Sequence, residues 1–103
     1  DKELSEPIKE IDKEVEKVLW VFKLIREDDS ISSKFYKKLV NTDDIIEIRV
    51  QHANNNFRFL GFEHEDKLII LTNAFKKKDQ KTPKNEIELA QNRKKEYIYG
   101  WFR

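Results

Sequence analysis

The stretch that decides the fold is Ile46-Glu47-Ile48-Arg49-Val50, in which apolar residues alternate with charged ones. This period of two predicts a strand with one buried face. Asn54-Asn55-Asn56 follows it and predicts a tight hairpin turn, because asparagine tolerates the left-handed backbone conformation. Two further strands are predicted over residues 56–63 and 67–75, joined by a turn near residue 65. Connections this short favour antiparallel neighbours, so the sequence predicts a three-stranded meander.

The third predicted strand contains Leu68-Ile69-Ile70-Leu71, which is apolar on both faces. Strands that are buried on both sides typically have this composition. We therefore expect the third strand to be central or covered in the sheet.

Helical periodicity flanks the meander along the chain. Apolar residues recur every three or four positions between residues 5 and 27, with Ser5 suited to cap the N-terminus. A shorter helix is predicted over residues 32–39, and a last one from an N-cap at Thr82 to about residue 99. The order of two helices, three strands and one helix predicts an α+β fold whose helices cover one sheet face. The other face is then expected to be partly exposed to water.

The composition indicates one small domain. The chain has 103 residues, enough for a single core. Charged residues make up 40% of it and cysteine is absent, so it offers no disulfide, thiolate chemistry or Cys-ligated metal. No apolar run approaches the roughly 20 residues that span a bilayer, and the N-terminus has no signal-peptide core. These features predict a cytoplasmic protein without a membrane segment.

Positive charge is concentrated toward the C-terminal end. The net charge is −4 over residues 1–30, 0 over 31–74 and +5 over 75–103, although the whole chain carries only +1. Five lysines fall within the nine residues 76–84, directly after the third predicted strand. Such a basic patch favours binding of a phosphate backbone, because neutralised phosphates release counterions. A solvated helix face is the alternative.

Two arginines are expected to lie side by side on one face of the sheet. Arg49 and Arg58 reach the same side if their strands pair in register. Two arginines on a buried face would be costly, whereas two on an open face form a binding surface. The alternative is an ordinary surface arginine paired with a carboxylate such as Glu47.

An ordered set of segments resembles a known family. The segments are Lys17-Val18-Leu19-Trp20-Val21, Tyr36-Lys37-Lys38-Leu39, Ile46 to Val50, Asn55-Asn56-Phe57-Arg58-Phe59, Leu68 to Phe75, Lys77-Lys78, Lys81-Thr82-Pro83, Glu86-Ile87, Ala90, Arg93 and Tyr97. This set is similar to the HigB-like, phage-derived branch of the RelE/ParE toxin superfamily, and it covers nearly the whole chain.

The resemblance implies a RelE/ParE-like fold and a toxin of a type II toxin–antitoxin pair. Such a toxin would be a ribosome-dependent endoribonuclease that cuts mRNA and would have a helix-turn-helix antitoxin as its partner. The family fold usually opens with a short strand before the first helix. We therefore expect residues 1–103 to form a single toxin domain that lacks this strand.

The chemistry implied by the resemblance uses the 2′-hydroxyl of RNA as the nucleophile and leaves a 2′,3′-cyclic phosphate and a 5′-hydroxyl. It needs no cofactor or metal, because alignment and charge stabilisation suffice. Forked guanidinium groups and point ammonium charges suit phosphoryl oxygens. The candidate catalytic residues are accordingly Arg49, Arg58, Lys77 and Lys78. The candidates for RNA or ribosome binding are Phe75, Lys76, Lys81, Lys84 and Arg93.

The general base is the least determined part of this scheme. Glu47 and His52 are the candidates, since one shares a strand face with Arg49 and the other follows three residues later. A lysine whose pKa is lowered by crowding and burial is a further candidate. Metal ligation is not predicted, because His52 and His64 are the only histidines and lack the spacing of a zinc motif.

Two other functions stay open at this point. One is a non-enzymatic toxin of the ParE kind, which inhibits DNA gyrase through protein contacts. The other is a catalytically inactive relative that binds nucleic acid. The arginines and the lysine loop favour the ribonuclease, because a gyrase inhibitor has no need of a cluster that aligns phosphates. The codon preference and the oligomeric state are not predicted.

Overall fold

The computed structural model describes residues 9–27, 34–65, 68–78 and 81–100. These ranges form two helices and a four-stranded antiparallel sheet. The elements in chain order are α1 (Lys9–Glu27), β1 (Tyr36–Lys38), β2 (Ile46–His52), β3 (Asn55–His64), β4 (Leu68–Lys76) and α2 (Lys84–Gly100). No helix in these ranges is long and apolar enough to cross a membrane. The α+β class is confirmed.

The predicted meander is confirmed as strands β2, β3 and β4. The strands lie in the order β1-β2-β3-β4, each antiparallel to the next. The hairpin turn contains Ala53 and Asn54, and His52 pairs with Asn55 as the last pair of the ladder. The left-handed residue of this turn is Ala53, with φ at 54°, rather than an asparagine. His52 is therefore the last residue of β2.

The short helix predicted over residues 32–39 is wrong in the part that the structure describes. Tyr36–Lys38 instead forms β1, and Tyr36 pairs with Ile48 of β2. The main-chain N–H of Arg49 extends this ladder with a hydrogen bond of 2.8 Å to the carbonyl of Phe35. Pairing with a neighbouring strand outweighs the weak helical preference of three or four residues. Residues 32 and 33 lie outside the described ranges.

The two helices cover opposite faces of the sheet, so the prediction of one covered face is also wrong. On one face, Val21 of α1 packs against Ile46, Ile48 and Val50 of β2. On the other, Ala90 of α2 packs with Leu60 of β3 and Ile45. Leu60 pairs with Glu47, so the α2 face carries the charged residues of β2. The first helix runs to Glu27 as predicted, while its predicted cap at Ser5 lies outside the described residues.

Strand β4 lies at an edge of the sheet that the described residues form, which corrects the prediction that it is central or covered. Leu68 and Leu71 are 47% and 43% exposed. Leu60 pairs with Asn73 and Gly61 pairs with Leu71, so Thr72 is an extra residue that forms a bulge in β4. A Cβ added to Gly61 would lie 2.2 Å from the carbonyl oxygen of Ile70. This close approach requires glycine at position 61.

Candidate functional site

A buried carboxylate lies beside two arginines on the α2 face of the sheet. Arg49 of β2 and Arg58 of β3 pair directly across the ladder, so the prediction that they share a face is confirmed. Glu47 precedes Arg49 by two residues and therefore points to the same side. Its Oε1 accepts a hydrogen bond of 2.9 Å from Nε of Arg49 and lies 3.9 Å from Nε of Arg58.

The carboxylate also ties the start of α2 to the sheet. The hydroxyl of Thr82 donates a hydrogen bond to Oε2 of Glu47. The sequence predicts Thr82 as the cap of α2, but the helix begins at Lys84, and the main-chain N–H groups of Glu86 and Ile87 donate to the carbonyl of Pro83. The threonine side chain is therefore used for a contact with the sheet. This contact brings Thr82 next to the arginine pair, at the end of the lysine loop, whose described residues are Lys77, Lys78, Lys81 and Thr82.

This face is less open than the sequence suggests. The side chain of Glu47 is fully buried, that of Arg58 is 11% exposed and that of Arg49 is 30% exposed. Two guanidinium groups this close repel each other, and Glu47 offsets that repulsion. The alternative of an arginine paired with Glu47 therefore holds for Arg49, although the carboxylate is in the interior rather than at the surface.

The surroundings of Glu47 favour its charged form. Burial raises the pKa of Glu47, but the hydrogen bonds from Thr82 and Arg49 and the charges of Arg49 and Arg58 bring that pKa below its usual value. Both carboxylate oxygens already accept a hydrogen bond. Glu47 is therefore suited to hold neighbouring groups in place and poorly suited to accept a proton.

Arg58 keeps an unused donor within the arginine cluster, which consists of Glu47, Arg49 and Arg58. Its Nη1 donates to the carbonyl of Phe57 at 3.0 Å, while its buried Nε has no hydrogen-bond partner among the described residues. Burial lowers the pKa of Arg58, and the charge of Glu47 opposes that shift. A guanidinium stays protonated under all ordinary conditions. The buried Nε is thus an unsatisfied donor inside the cluster, 3.9 Å from Oε1 of Glu47.

Lys77 is the predicted catalytic lysine that the structure brings to the cluster. Its main-chain N–H donates to the carbonyl of Asn56 at 2.7 Å, one residue beyond β4. Burial lowers the pKa of Lys77, and the positive charges of Arg58, Arg49 and Lys37 lower it further, against the opposing charge of Glu47. Phe75 pairs with Arg58, so alternation along the chain places Lys77, two residues later, on the same sheet face as the arginines.

The other lysines predicted for the site differ in placement. Lys76 pairs with Phe57, whose ring packs on the α1 face, so Lys76 lies on the face opposite the cluster. Lys78, Lys81 and Lys84 are exposed. Lys81 and Lys84 flank Thr82 and so lie near the point where the loop contacts Glu47.

Sequence reasoning missed Lys37. This exposed residue of β1 pairs with Glu47 and thus extends the row of the cluster by one strand. Its charge also lowers the pKa of Lys77. The incorrect helix over residues 32–39 concealed it, because a helix would not align Lys37 with Glu47. A prediction of Tyr36–Lys38 as a strand would have placed Lys37 beside Glu47.

Three further predicted residues take other positions. Phe75 packs against the core of Ile45, Leu60 and Ala90. Nη1 of Arg93 donates to the carbonyl of Thr72 at 2.5 Å and thereby ties α2 to the bulge in β4. His52 follows Val50 by two residues, so it lies on the α1 face and away from the arginines.

The described residues contain no group of three or more histidine, cysteine, aspartate or glutamate side chains placed to hold a metal ion.

Comparisons with known proteins give one family and one pair of relatives. The family described as "Phage derived protein Gp49-like (DUF891)" matches residues 6–95. A segment of 52 residues is 50% identical to the protein named "Probable endoribonuclease HigB1" in two strains of Mycobacterium tuberculosis. The segment covers 50% of this chain and 41% of those relatives, so the chain spans less than half of their length. No solved structure matches the chain significantly.

Proposed function

Because the chain belongs to the phage-derived Gp49-like family, we propose that it is the toxin of a type II toxin–antitoxin pair and that it cleaves mRNA. The family match confirms the resemblance found in the sequence. One observation carries the proposed activity: Arg49 and Arg58 face each other across the ladder, with Lys77 and the buried Glu47 beside them. The name of the HigB1 relatives supports the same activity.

In this proposal the cluster binds the phosphate that is cut. The 2′-hydroxyl of the preceding ribose attacks phosphorus, the bond to the 5′-oxygen breaks, and the products are a 2′,3′-cyclic phosphate and a 5′-hydroxyl. Negative charge grows on the phosphoryl oxygens as the attack proceeds. Arg49 and Arg58 would donate hydrogen bonds to those oxygens, and Lys77 and Lys78 would add positive charge.

Proton transfer is assigned to Lys77 rather than to the two other candidates. The lowered pKa of Lys77 brings this ammonium group closer to the range in which it exchanges a proton. Glu47 has both oxygens occupied, and His52 lies on the opposite face of the sheet. Lys77 would therefore protonate the leaving 5′-oxygen, while a base from the substrate complex or solvent takes the proton of the 2′-hydroxyl.

The exposed lysines would hold the rest of the substrate. Lys78, Lys81 and Lys84 are exposed and lie close in sequence to Thr82, which contacts Glu47, and Lys37 adds a positive charge from β1. A patch of this sign attracts a phosphate backbone, either of mRNA or of ribosomal RNA. We propose that the ribosome positions the mRNA and that a helix-turn-helix antitoxin covers the same basic face to inhibit the toxin.

Induced expression of the chain in growing bacteria tests this function. The proposal expects rapid loss of mRNA, with new 5′-hydroxyl ends inside coding sequences. DNA damage without cut mRNA would instead favour the gyrase-inhibiting alternative. Absence of any effect on growth would favour an inactive nucleic-acid-binding relative, and either result would refute the ribonuclease proposal.

A further inference from the structure

Glu47 is unusual among the residues that surround it on β2. The neighbouring positions Ile46, Ile48 and Val50 are buried and apolar, yet Glu47 is buried just as completely. A buried ionised carboxylate is costly, and an apolar side chain of similar size is often at least as stabilising at such a position. Glu47 also subtracts one positive charge from the basic patch. It therefore does not contribute to the attraction of RNA, and its role must be sought in its contacts.

Those contacts come from three different parts of the chain. Oε1 accepts the Nε–H of Arg49 at 2.9 Å and faces Nε of Arg58 at 3.9 Å. Oε2 accepts the hydroxyl of Thr82, which is 35 residues away along the chain. One carboxylate thus touches two neighbouring strands and the loop that leads into α2. The charge of Glu47 also acts on Lys77.

We propose that Glu47 is a positioning residue, which fixes the guanidinium of Arg49 and, through Thr82, docks the lysine loop beside the two arginines. This inference rests on the proposed ribonuclease function. The Nε of Arg49 is engaged by Glu47, so its terminal nitrogens are turned in one fixed direction. Phosphoryl transfer requires hydrogen-bond donors that are aligned with the phosphoryl oxygens. A donor that moves out of this alignment loses much of its catalytic benefit, so donors held in a fixed position are more effective.

The proposed role of Glu47 predicts different effects on RNA affinity and on cleavage. Affinity for RNA depends on the number of positive charges near the backbone, whereas cleavage depends on their alignment. Loss of the Glu47 charge makes the patch more positive by one unit but releases Arg49 and the loop. Binding should therefore stay equal or tighten while cleavage falls. A variant that is merely misfolded would lose both.

The test compares Glu47→Gln with Thr82→Val in a translating extract. Two quantities are measured for each variant: the maximal rate of mRNA cleavage and the toxin concentration that gives half of that rate. Binding is measured separately to a 2′-O-methyl RNA oligonucleotide, which lacks the attacking hydroxyl. Glu47→Gln should lower the maximal rate at least about tenfold, about 1.4 kcal/mol. It should bind the oligonucleotide at least as tightly as the wild type.

Thr82→Val removes the loop contact without changing the charge, so it keeps the test valid if Glu47→Gln fails to fold. The maximal rate should fall about tenfold to a hundredfold, as expected for loss of one hydrogen bond to a charged group. The affinity for the oligonucleotide should not change. Thr82→Ser retains the hydroxyl and should restore the rate, while Glu88→Gln on the exposed side of α2 serves as the matched carboxylate control.

The outcomes distinguish the two claims. If the wild type cuts no mRNA, the proposed function fails and the inference fails with it. If the wild type cuts mRNA and Thr82→Val keeps the full rate, the positioning role alone is refuted. An equal loss of binding and cleavage in Thr82→Val would also overturn it.

Discussion

Replacement of Glu47 by glutamine should destabilise the protein at neutral pH, and the effect should shrink as the pH falls. Glu47 is fully buried and faces Arg49 and Thr82, which donate hydrogen bonds to it, and Arg58 at 3.9 Å. The other charges near it are those of Lys77 and Lys37, from the loop and from β1. These four charged neighbours, all within the described part of the chain, are positive, so the substitution leaves a cluster of like charges without its counter-ion.

The size of the effect at pH 7 follows from the burial of the partners. Removal of one partner of a buried ion pair costs about 3–5 kcal/mol. The side chain of Arg49 is 30% exposed, so water screens part of this loss. Glutamine also keeps one oxygen that can accept a hydrogen bond. We therefore expect the free energy of unfolding to fall by about 2–3 kcal/mol.

The sign of the pH dependence follows from the pKa of Glu47. Burial raises this pKa, but the hydrogen bonds and positive charges lower it below its usual value of 4.5. A carboxyl group with a lowered folded-state pKa contributes stability that is complete above the unfolded-state pKa and is lost as the pH falls through the folded-state pKa. The wild type should thus lose its advantage over Glu47→Gln below pH 4.5.

Urea unfolding followed by circular dichroism between pH 7 and pH 3 measures both quantities. The gap between wild type and variant should be largest at pH 7 and should narrow steadily below pH 4.5. Glu88→Gln, an exposed carboxylate change on α2, should alter stability by less than about 0.5 kcal/mol throughout. A Glu47→Gln variant as stable as the wild type at pH 7, or a gap that is independent of pH, would refute the reasoning.

Three further predictions concern the bulge, the attachment of α2 and the cluster. Gly61→Ala should lower the free energy of unfolding by about 3 kcal/mol or more, because the new Cβ would lie 2.2 Å from the carbonyl oxygen of Ile70; an unchanged urea midpoint would argue against the bulge. Lys94→Met in α2 should lower the free energy of unfolding by about 1–3 kcal/mol, since the buried Nζ of Lys94 donates a hydrogen bond of 2.6 Å to the carbonyl of Asp43. The same urea titration measures this loss of stability. In an NMR titration, Lys77 should show a pKa below 10.5 that rises in Arg58→Met, because burial and then the charge of Arg58 are the main causes of its lowering; an ordinary lysine pKa in the wild type would contradict the proximity of these groups.

The features that could be predicted from sequence are those with a local cause. The alternation around Arg49 identifies a strand because side chains on a strand change face at every residue. The short hairpin then fixes the register, which places Arg58 directly opposite Arg49. The same locality explains the success of the prediction for α1, whose apolar stripe ends near Glu27.

The features that were missed depend on distant parts of the chain. Residues 36–38 fit a helix and a strand about equally well by periodicity, and the exposed edge of β2 decides between them. That error concealed Lys37. The contact of Thr82 with Glu47 spans 35 residues, and a threonine before Pro83 is an equally good helix cap by local rules.

The placement of the helices also depends on long-range packing. The sequence shows that α2 has an apolar side, but it does not show which sheet face that side meets. The answer depends on Leu60 and Ile45, which project toward Ala90 on the face away from α1. Burial of the arginine cluster follows from this choice of face. A site that looks exposed in the sequence is therefore largely enclosed in the fold.

The central claim is that the arginine pair and the lysine loop cut mRNA, and cleavage in a translating extract tests it most directly. Purified wild type is added together with an actively translated mRNA, and the ends of the fragments are mapped. We expect internal cuts with 5′-hydroxyl ends, and at least about tenfold slower cleavage by Arg58→Ala and by Lys78→Ala, each on the order of 1.4 kcal/mol. Intact mRNA with the wild type, or full activity in both variants, would contradict the claim.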